Sequence, residues 1–217
     1  MQTVNVNEVS STNYLSPDVF YNKFLFWLVR LQPFASGSGK PPMSAKAFVV
    51  AFRVQYGCGL RVSELLNIRK KDLNLKRCIL TIPKAKTGTN QKTTILPYDV
   101  PMLEDFTKDM DDDQLLFTAN RHVMWEYAKD AGRLAGLNIF EEQGTREIEG
   151  VWTHLMRKSC SKRMLKLGAS RELRMLKLRH AMKDAHDTYD KQDINELRIW
   201  EAKHFGSQHL VTKEMLN

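Results

Sequence analysis

The stretch "YGCGLRVSELLNI", residues 56–68, decides how the first half of the chain folds. Gly57 and Gly59 predict the end of the helix that starts near Met43 in "MSAKAFVVAFRVQ", because glycine accepts the left-handed backbone that closes helices. The apolar residues that follow suit a second, short helix. Arg61 therefore stands at the start of a helix, directly after a glycine-rich turn.

The segments on either side of this stretch predict another helix and a hairpin. Before it, "SPDVFYNKFLFWLVRL" predicts a helix with Ser16 as N-cap and Pro17 at the first position. After it, the β-branched runs "KRCILTI" and "KTTILPY" flank "PKAKTGTNQ", residues 83–91. They predict two antiparallel strands joined by a glycine-containing loop.

The second half of the chain is predicted to be helical. Residues 99–114 predict a solvated acidic helix with a loop. The segment "NRHVMWEYAKDAGRLAGL" predicts a helix that ends at Gly136 and is followed by a polar loop to Gly150. "THLMRKSCSKRMLKLG" predicts a helix closed by Gly168, "SRELRMLKLRH" one opened by Ser170, and the apolar spacing of 194–205 a last helix. The expected fold class is mainly α with a small antiparallel β-sheet (α+β).

Length and composition indicate a soluble, folded protein. The 217 residues, 42% of them hydrophobic, can bury a core of one domain, expected at 14–205 between flexible tails at 1–13 and 206–217. No segment approaches the roughly 18 consecutive apolar residues of a membrane span, and the N-terminus lacks signal-peptide features. The three cysteines lie far apart, without metal-ligand spacing, so reduced thiols in the cytoplasm are expected.

The net charge of +8 is unevenly distributed along the chain. Residues 53–92 hold ten Lys or Arg against two acids, residues 93–150 five against thirteen, and residues 151–191 eleven against four. Such segregated basic segments favour a nucleic-acid partner, because cations displace the counterions that surround a polyanion. Solvated helix faces are the alternative interpretation.

Six residues could act together on a phosphate. Each alone has an ordinary explanation: a lone arginine or lysine is usually a surface charge, and a tyrosine among polar neighbours, as in "AHDTYDK", is usually exposed on a helix. Two of them, three residues apart in "HLMR", share one face of a helix. The full set is Arg61, Lys86 in "AKTG", His154, Arg157, His180 and Tyr189.

Their chemistry fits attack of a tyrosine on a phosphodiester. The pentavalent phosphorus of that reaction carries extra negative charge, which two guanidiniums such as Arg61 and Arg157 can clamp. The phenol, with an unperturbed pKa of about 10, must lose a proton and the departing 5′ oxygen must gain one, which histidine and lysine can arrange. With cations supplying the charge, no metal or other cofactor is expected.

The motifs resemble those of the tyrosine recombinases, also called phage-type integrases. "GLRVSELLNI" is similar to the first box of that family, "HLMR" to its His-x-x-Arg box, and "AKTG" to the hairpin with its catalytic lysine. The spacing also matches, since His180 follows Arg157 by twenty-three residues and Tyr189 follows His180 by nine. The resemblance covers roughly residues 15 to 205 and implies the catalytic-domain fold of the family.

The resemblance also implies roles for single residues. Tyr189 would be the nucleophile, Arg61 and Arg157 would bind the scissile phosphate, and Lys86 would protonate the leaving 5′ hydroxyl. His154 and His180 would assist proton transfer and phosphate binding. Glu64 is expected to brace the turn of Arg61 rather than to perform chemistry.

The chain departs from the family pattern at three points. Arg179 stands where the family usually has the glycine of Leu-Gly before the second histidine, and Lys158 stands where a histidine is common. The family usually has a separate helical DNA-binding domain before the catalytic one. Because few residues precede Ser16, we expect either a catalytic fragment or a naturally short enzyme.

Three functions follow from this pattern. The first is a site-specific recombinase that cuts and rejoins double-stranded DNA through a 3′-phosphotyrosyl intermediate. It would form a homo-tetramer on DNA, would be weakly associated or monomeric in the absence of DNA, and would lie in the cytoplasm with the nucleoid. The second is a type IB topoisomerase-like nicking and closing enzyme, and the third a non-catalytic DNA-binding relic. The amphipathic segment 194–205 could dock on a neighbouring subunit or pack on its own chain.

Overall fold

The computed structural model describes residues 14–31, 43–83, 91–137, 140–143, 146–149, 151, 153–180 and 194–205. Within these ranges the chain is mostly helical, with small antiparallel sheets, so the predicted fold class is confirmed. The predicted tails, the loop that carries Lys86 and the segment that carries Tyr189 lie outside the described residues.

Helix α2, Ala45–Cys58, is the central element of the fold. Ser44 caps its start by accepting a hydrogen bond from the backbone N of Ala47, and Gly59 ends it in the left-handed conformation, with φ of 62°. All residues from 47 to 58 are buried, so the helix is surrounded by protein. The prediction that Gly57 also ends the helix was wrong. Gly57 lies inside α2, where a Cβ would come within 3.1 Å of the Leu96 side chain.

The predicted first helix is present, with an unexpected π-helical part. Val19–Phe24 form a π-helix that continues into α1, Leu25–Leu28, and the backbone N of Val19 donates to the Ser16 hydroxyl as an N-cap. Stacking of the Phe20 ring on Tyr56 of α2, with centroids 3.9 Å apart, fixes this segment on the central helix.

The predicted hairpin forms part of a three-stranded sheet. Strands β2, Ile79–Ile82, and β3, Gln91–Thr94, pair antiparallel, with Ile79 opposite Thr94. A third strand that the sequence did not predict, β1 at Leu73–Asn74, pairs with the other edge of β2. The short helix α3, Val62–Leu65, and the 3₁₀ turns Lys70–Asp72 and Leu75–Arg77 lie between α2 and β2.

The middle of the chain contains a second hairpin. The 3₁₀ turn Pro97–Asp99 leads into α4, Val100–Thr107, and α5, Arg121–Leu134, ends before Gly136 as predicted. Strands β4, Phe140–Gln143, and β5, Arg146–Glu149, then pair antiparallel. The prediction of a polar loop to Gly150 was therefore wrong, because the backbone groups of this polar segment pair with each other.

The last three helices follow the prediction. They are α6, Thr153–Lys166, α7, Arg171–Leu178, capped by the Ser170 hydroxyl, and α8, Ile194–Phe205. Helix α8 packs on its own chain, with Leu197 and Phe205 buried. A fully buried ion pair supports this packing, since Lys177 Nζ lies 2.7 Å from Glu201 Oε1 and also donates to Thr94.

The three cysteines carry free thiols, as predicted, and burial raises the pKa of the Cys58 thiol to about 12. In the described part of the chain, no helix combines the length and the apolar character that crossing a membrane requires.

The acidic segment 99–114 is not wholly solvated, which corrects the prediction at Asp99. This carboxylate is only 2% exposed, and Arg53 of α2 donates to its Oδ1 through Nε at 2.9 Å. The second guanidinium nitrogen, NH2, lies 2.6 Å from the same oxygen. The pair fixes the start of α4 on the central helix. Because both side chains are buried, each charge is stabilised by the other and not by water.

We expect Asp99→Ala to lower the free energy of unfolding by about 3 to 5 kcal/mol, because it leaves the Arg53 guanidinium buried without its partner. Urea denaturation measures this loss. Asp105→Ala is the control, since that carboxylate pairs with Lys46 at the surface, and it should change stability little. The double variant Arg53→Met with Asp99→Leu should recover much of the loss. Equal effects at the two aspartates would contradict the buried pair.

Candidate active site

Arg61 stands at the point where α2 ends and α3 begins. Its backbone N donates to Glu64 Oε2 at 2.7 Å, and its guanidinium NH1 donates to Glu64 Oε1 at 2.8 Å. The side chain of Arg61 is 49% exposed. Glu64 thus braces the turn as expected and leaves part of a guanidinium facing solvent.

Arg157 on α6 is buried beneath this turn. It is 3% exposed, and its NH1 donates to the Gly59 carbonyl at 2.6 Å. Its NH2 donates to the carbonyl of Leu178 at the end of α7. The Glu64 carboxylate lies 3.8 Å from NH1. Arg157 therefore joins the ends of two helices, α2 and α7, at one place.

The two predicted histidines are exposed at the surface. His154 is exposed in the first turn of α6, one turn before Arg157. His180 is exposed directly after α7, and its backbone N donates to the Met175 carbonyl at 3.0 Å.

Arg179, beside His180, belongs to the same cluster although it was not predicted as a site residue. It adopts the left-handed conformation, with φ of 55°, where the family resemblance led us to expect glycine. A non-glycine residue in this conformation costs roughly 1 to 2 kcal/mol. The Arg179 side chain is 2% exposed, and its NH2 donates to Glu64 Oε2 at 2.6 Å and to the Gly59 carbonyl at 3.2 Å.

A pocket of about 340 Å³ opens beside His180. Two arginines of α7 line it together with a serine of α6, so positive charge continues beyond the cluster. The lining residues are Ser161, Arg171, Arg174, Met175, Leu178 and His180.

The pKa values reflect an excess of positive charge. Burial, followed by repulsion from Arg179 and Arg61, lowers the pKa of Arg157 to about 10. Burial and the same guanidiniums, first that of Arg157, hold the pKa of His180 below its ordinary value, so its imidazole is neutral at pH 7. The site is therefore suited to an anionic ligand that supplies the missing negative charge.

Glu64 carries the opposing charge of the cluster. Burial raises its pKa, but Arg179 and the hydrogen bonds from Arg61 outweigh burial and hold the pKa below the usual range. Glu64 is thus ionised near neutral pH and bonded to both arginines. In that state its structural role, to orient Arg61, matches the expectation from sequence.

Three of the six predicted residues thus meet in one cluster: Arg61, Arg157 and His180, with His154 on the same helix as Arg157. Lys86 and Tyr189 lie outside the described residues, so their roles stay predictions. Among the described residues, no group of three or more His, Cys, Asp or Glu side chains is arranged to hold a metal ion.

Comparison with known proteins assigns the chain to a family. Residues 34–196 match the phage integrase family, and the chain belongs to that family. Tyrosine recombinase XerA of Thermococcus onnurineus is 26% identical over 185 residues, which are 79% of this chain and 60% of that relative. Tyrosine recombinase XerA of Pyrococcus furiosus is 28% identical over 123 residues, 51% of this chain and 41% of the relative. The chain thus spans less than two thirds of the length of these curated relatives.

Solved structures show the same fold. XerH site-specific recombinase bound to difH substrate, in a pre-cleavage complex, matches 88% of this chain and 50% of its own, with a TM-score of 0.57 and 17% identity. The integrase of mycobacterium phage Brujita matches 99% of this chain and 64% of its own, with a TM-score of 0.59 and 15% identity. At this identity the likeness establishes the fold, which is that of tyrosine recombinase catalytic domains.

Gly59→Ala tests how closely α2 approaches α7 at the site. The added Cβ would lie 2.7 Å from Leu178 Cδ2, in a backbone with φ of 62°, so strain and overpacking together should cost about 2 to 4 kcal/mol. Gly136→Ala is a matched control, because that glycine has φ of 68° but nothing within 4 Å of its Cβ position. Its cost should be limited to about 1 to 2 kcal/mol. Equal costs by urea denaturation would contradict the close approach.

Proposed function

We propose that this chain is the catalytic domain of a site-specific DNA recombinase, which cuts and rejoins strands through a covalent 3′-phosphotyrosyl intermediate. The observation that carries the proposal is the convergence of Arg61, Arg157 and His180 from separate helices in a chain of the phage integrase family. Double-stranded DNA is the proposed substrate, supported by the basic segments of the sequence and the arginines around His180.

The proposed reaction keeps the number of phosphoester bonds constant. The Tyr189 phenol oxygen attacks the scissile phosphorus while its proton passes to a base, and the bond between phosphorus and the 5′ oxygen breaks. The 5′ oxygen takes up a proton, for which Lys86 is the proposed donor. A 5′ hydroxyl of another strand then attacks the phosphotyrosine and releases the phenol, so no ATP is consumed.

The arginines have distinct roles in this proposal. Arg61, about half exposed, presents donors to the non-bridging oxygens of the phosphate. Arg157 is held on the carbonyls of Gly59 and Leu178, so its charge is fixed before DNA binds. Such preorganised cations stabilise the charge that develops on the phosphorane at no reorganisation cost. His154 and the neutral His180 are proposed to assist phosphate binding and proton transfer.

The type IB topoisomerase alternative has no support in the comparisons, since the relatives and structures named above are recombinases and an integrase. We further propose that the chain assembles as a homo-tetramer on DNA and is monomeric or weakly associated without it. The proposed location is the cytoplasm, in association with the nucleoid.

Tyr189→Phe tests the nucleophile directly. The substrate is a pool of nicked suicide duplexes, randomised around the nick, from which a short strand diffuses away after cleavage. The wild-type chain should be trapped as an adduct in which the 3′ end of the cleaved DNA strand is attached to the protein. The variant should form no adduct while its fold and DNA affinity stay unchanged, because only the hydroxyl is lost. Denaturing gels and mass spectrometry identify the attached residue. An adduct on another tyrosine, or one that survives in Tyr189→Phe, would contradict the assignment.

Adduct formation on the same duplexes should persist in excess EDTA, because guanidiniums supply the positive charge that a metal ion provides in other nucleases. The rate with and without EDTA should agree within about twofold. The chain incubated with EDTA and then with excess Mg²⁺ serves as the control. Loss of the adduct in EDTA and its return with Mg²⁺ would contradict the mechanism.

A further inference from the structure

We propose that Arg179 is a positioning residue, which sets the placement of Arg61 and His180 for phosphate cleavage without touching DNA itself. This inference rests on the proposed function. Arg179 stands where the family pattern usually has glycine, and it is not among the six residues predicted for the site.

The first support is a chain of charge-assisted hydrogen bonds that leads from Arg179 to Arg61. Arg179 NH2 donates to Glu64 Oε2 at 2.6 Å, and the same oxygen accepts the backbone N of Arg61 at 2.7 Å. The second oxygen of Glu64 accepts from the Arg61 guanidinium. Arg157 is farther from this carboxylate, at 3.8 Å. Arg179 is therefore the closest buried cation that fixes Glu64, and Glu64 fixes Arg61.

The second support is the direction of the remaining Arg179 contacts. NH1 donates to the carbonyls of Lys177 at 2.8 Å and Cys58 at 3.3 Å, and NH2 reaches the Gly59 carbonyl. The side chain thus joins the end of α7 to the end of α2. Because it is 2% exposed and donates to protein oxygens, it acts on the site through other residues.

The third support is the backbone of Arg179. Its left-handed conformation ends α7 and turns the chain into His180, whose backbone N bonds to the Met175 carbonyl. Backbone strain at a site is retained when the surrounding contacts hold it, and here the contacts of the same side chain do so. One residue therefore orients both sides of the site, Arg61 through Glu64 and His180 through the chain turn.

Removing this guanidinium also changes the charge around His180. The charged groups that act on the imidazole are Arg157 of α6, Arg61 directly before α3, Arg179 directly after α7 and Glu64 of α3, and Arg171 and Arg174 of α7 line the pocket beside it. Arg157, Arg61 and Arg179 are cations that favour the neutral imidazole. Loss of one of them should move the His180 pKa upward.

The central experiment is Arg179→Gly in the full chain. Glycine adopts a φ of 55° without strain, so the variant removes the guanidinium without adding a backbone conflict. With saturating nicked suicide duplex, we expect adduct formation to slow by about 10- to 100-fold, because small displacements of positioned groups have effects of this size. The affinity for the duplex should stay within about twofold of wild type. A variant that cleaves at the wild-type rate overturns the proposal.

A double-mutant cycle tests whether Arg179 acts through Glu64. Glu64→Gln alone should slow the reaction, because the amide cannot hold two arginines. In that background, Arg179→Gly should have little further effect on the rate. Rate losses that multiply in the double variant overturn the proposed route. Arg133→Ala, at an exposed arginine of α5, is the charge control and should cleave at the wild-type rate.

Two further measurements cover a folding defect and a failure of the proposed function. If Arg179→Gly does not fold, Arg179→Lys keeps the buried charge but lacks the planar fork, and wild-type cleavage by it overturns the proposal. NMR titration of His180 without DNA should show a higher pKa in Arg179→Gly than in the wild type. An unchanged pKa counts against the placement of the Arg179 guanidinium near the imidazole. Absence of any wild-type adduct overturns the proposed function, whereas a wild-type adduct with a fast Arg179→Gly variant overturns the positioning role alone.

Discussion

The carbonyl oxygen of Gly59 is the point on which the site is built, because it accepts hydrogen bonds from two buried guanidiniums, those of Arg157 and Arg179. The last carbonyls of a helix lack partners within the helix and carry its negative partial charge, so they suit cations. Helix α2 ends at Gly59, whose left-handed backbone glycine adopts easily. Because this end of the helix is buried, its last carbonyls accept hydrogen bonds from side chains of α6 and of the turn after α7 instead of from water. The central helix thus supplies the acceptors that let three arginines lie close together.

In this arrangement the arginines that are held rigidly are buried, and the residues that can meet a ligand are exposed. Arg157 and Arg179 are fixed in the interior, while Arg61, His154 and His180 lie at the surface, where a large polyanion can reach them. Glu64 connects the two groups, since its carboxylate bonds to one buried and one exposed arginine. A ligand phosphate would add the negative charge that the cluster lacks, at a site whose buried arginines are already fixed. The proposed catalysis requires that property, because a preorganised site stabilises a transition state better than one that must first reorganise.

The sequence predicted what is local and missed what depends on distant partners. The caps at Ser16 and Ser170, the hairpin strands and the end of α5 at Gly136 follow from neighbouring residues, and all were confirmed. The hairpin β4–β5 was missed because its polar residues hide a pairing made by the backbone. Asp99 was assigned to solvent because its partner Arg53 lies 46 residues away. Arg179 was visible as a departure from the family, but its acceptors, more than a hundred residues earlier, were not.

Those distances along the chain also determine when the site can form. The bonds of Arg157 and Arg179 to Gly59 close loops of 98 and 120 residues. During synthesis, α2, α3 and the three-stranded sheet leave the ribosome before α6 and α7, so the acceptors at the end of α2 are made before the arginines that they bind. Contacts of such sequence separation slow folding, because long loops must close before the contacts can form. The site is thus incomplete until the residues up to Arg179 have been synthesised, and before then the turn of Arg61 lacks the arginines that join it to α6 and α7.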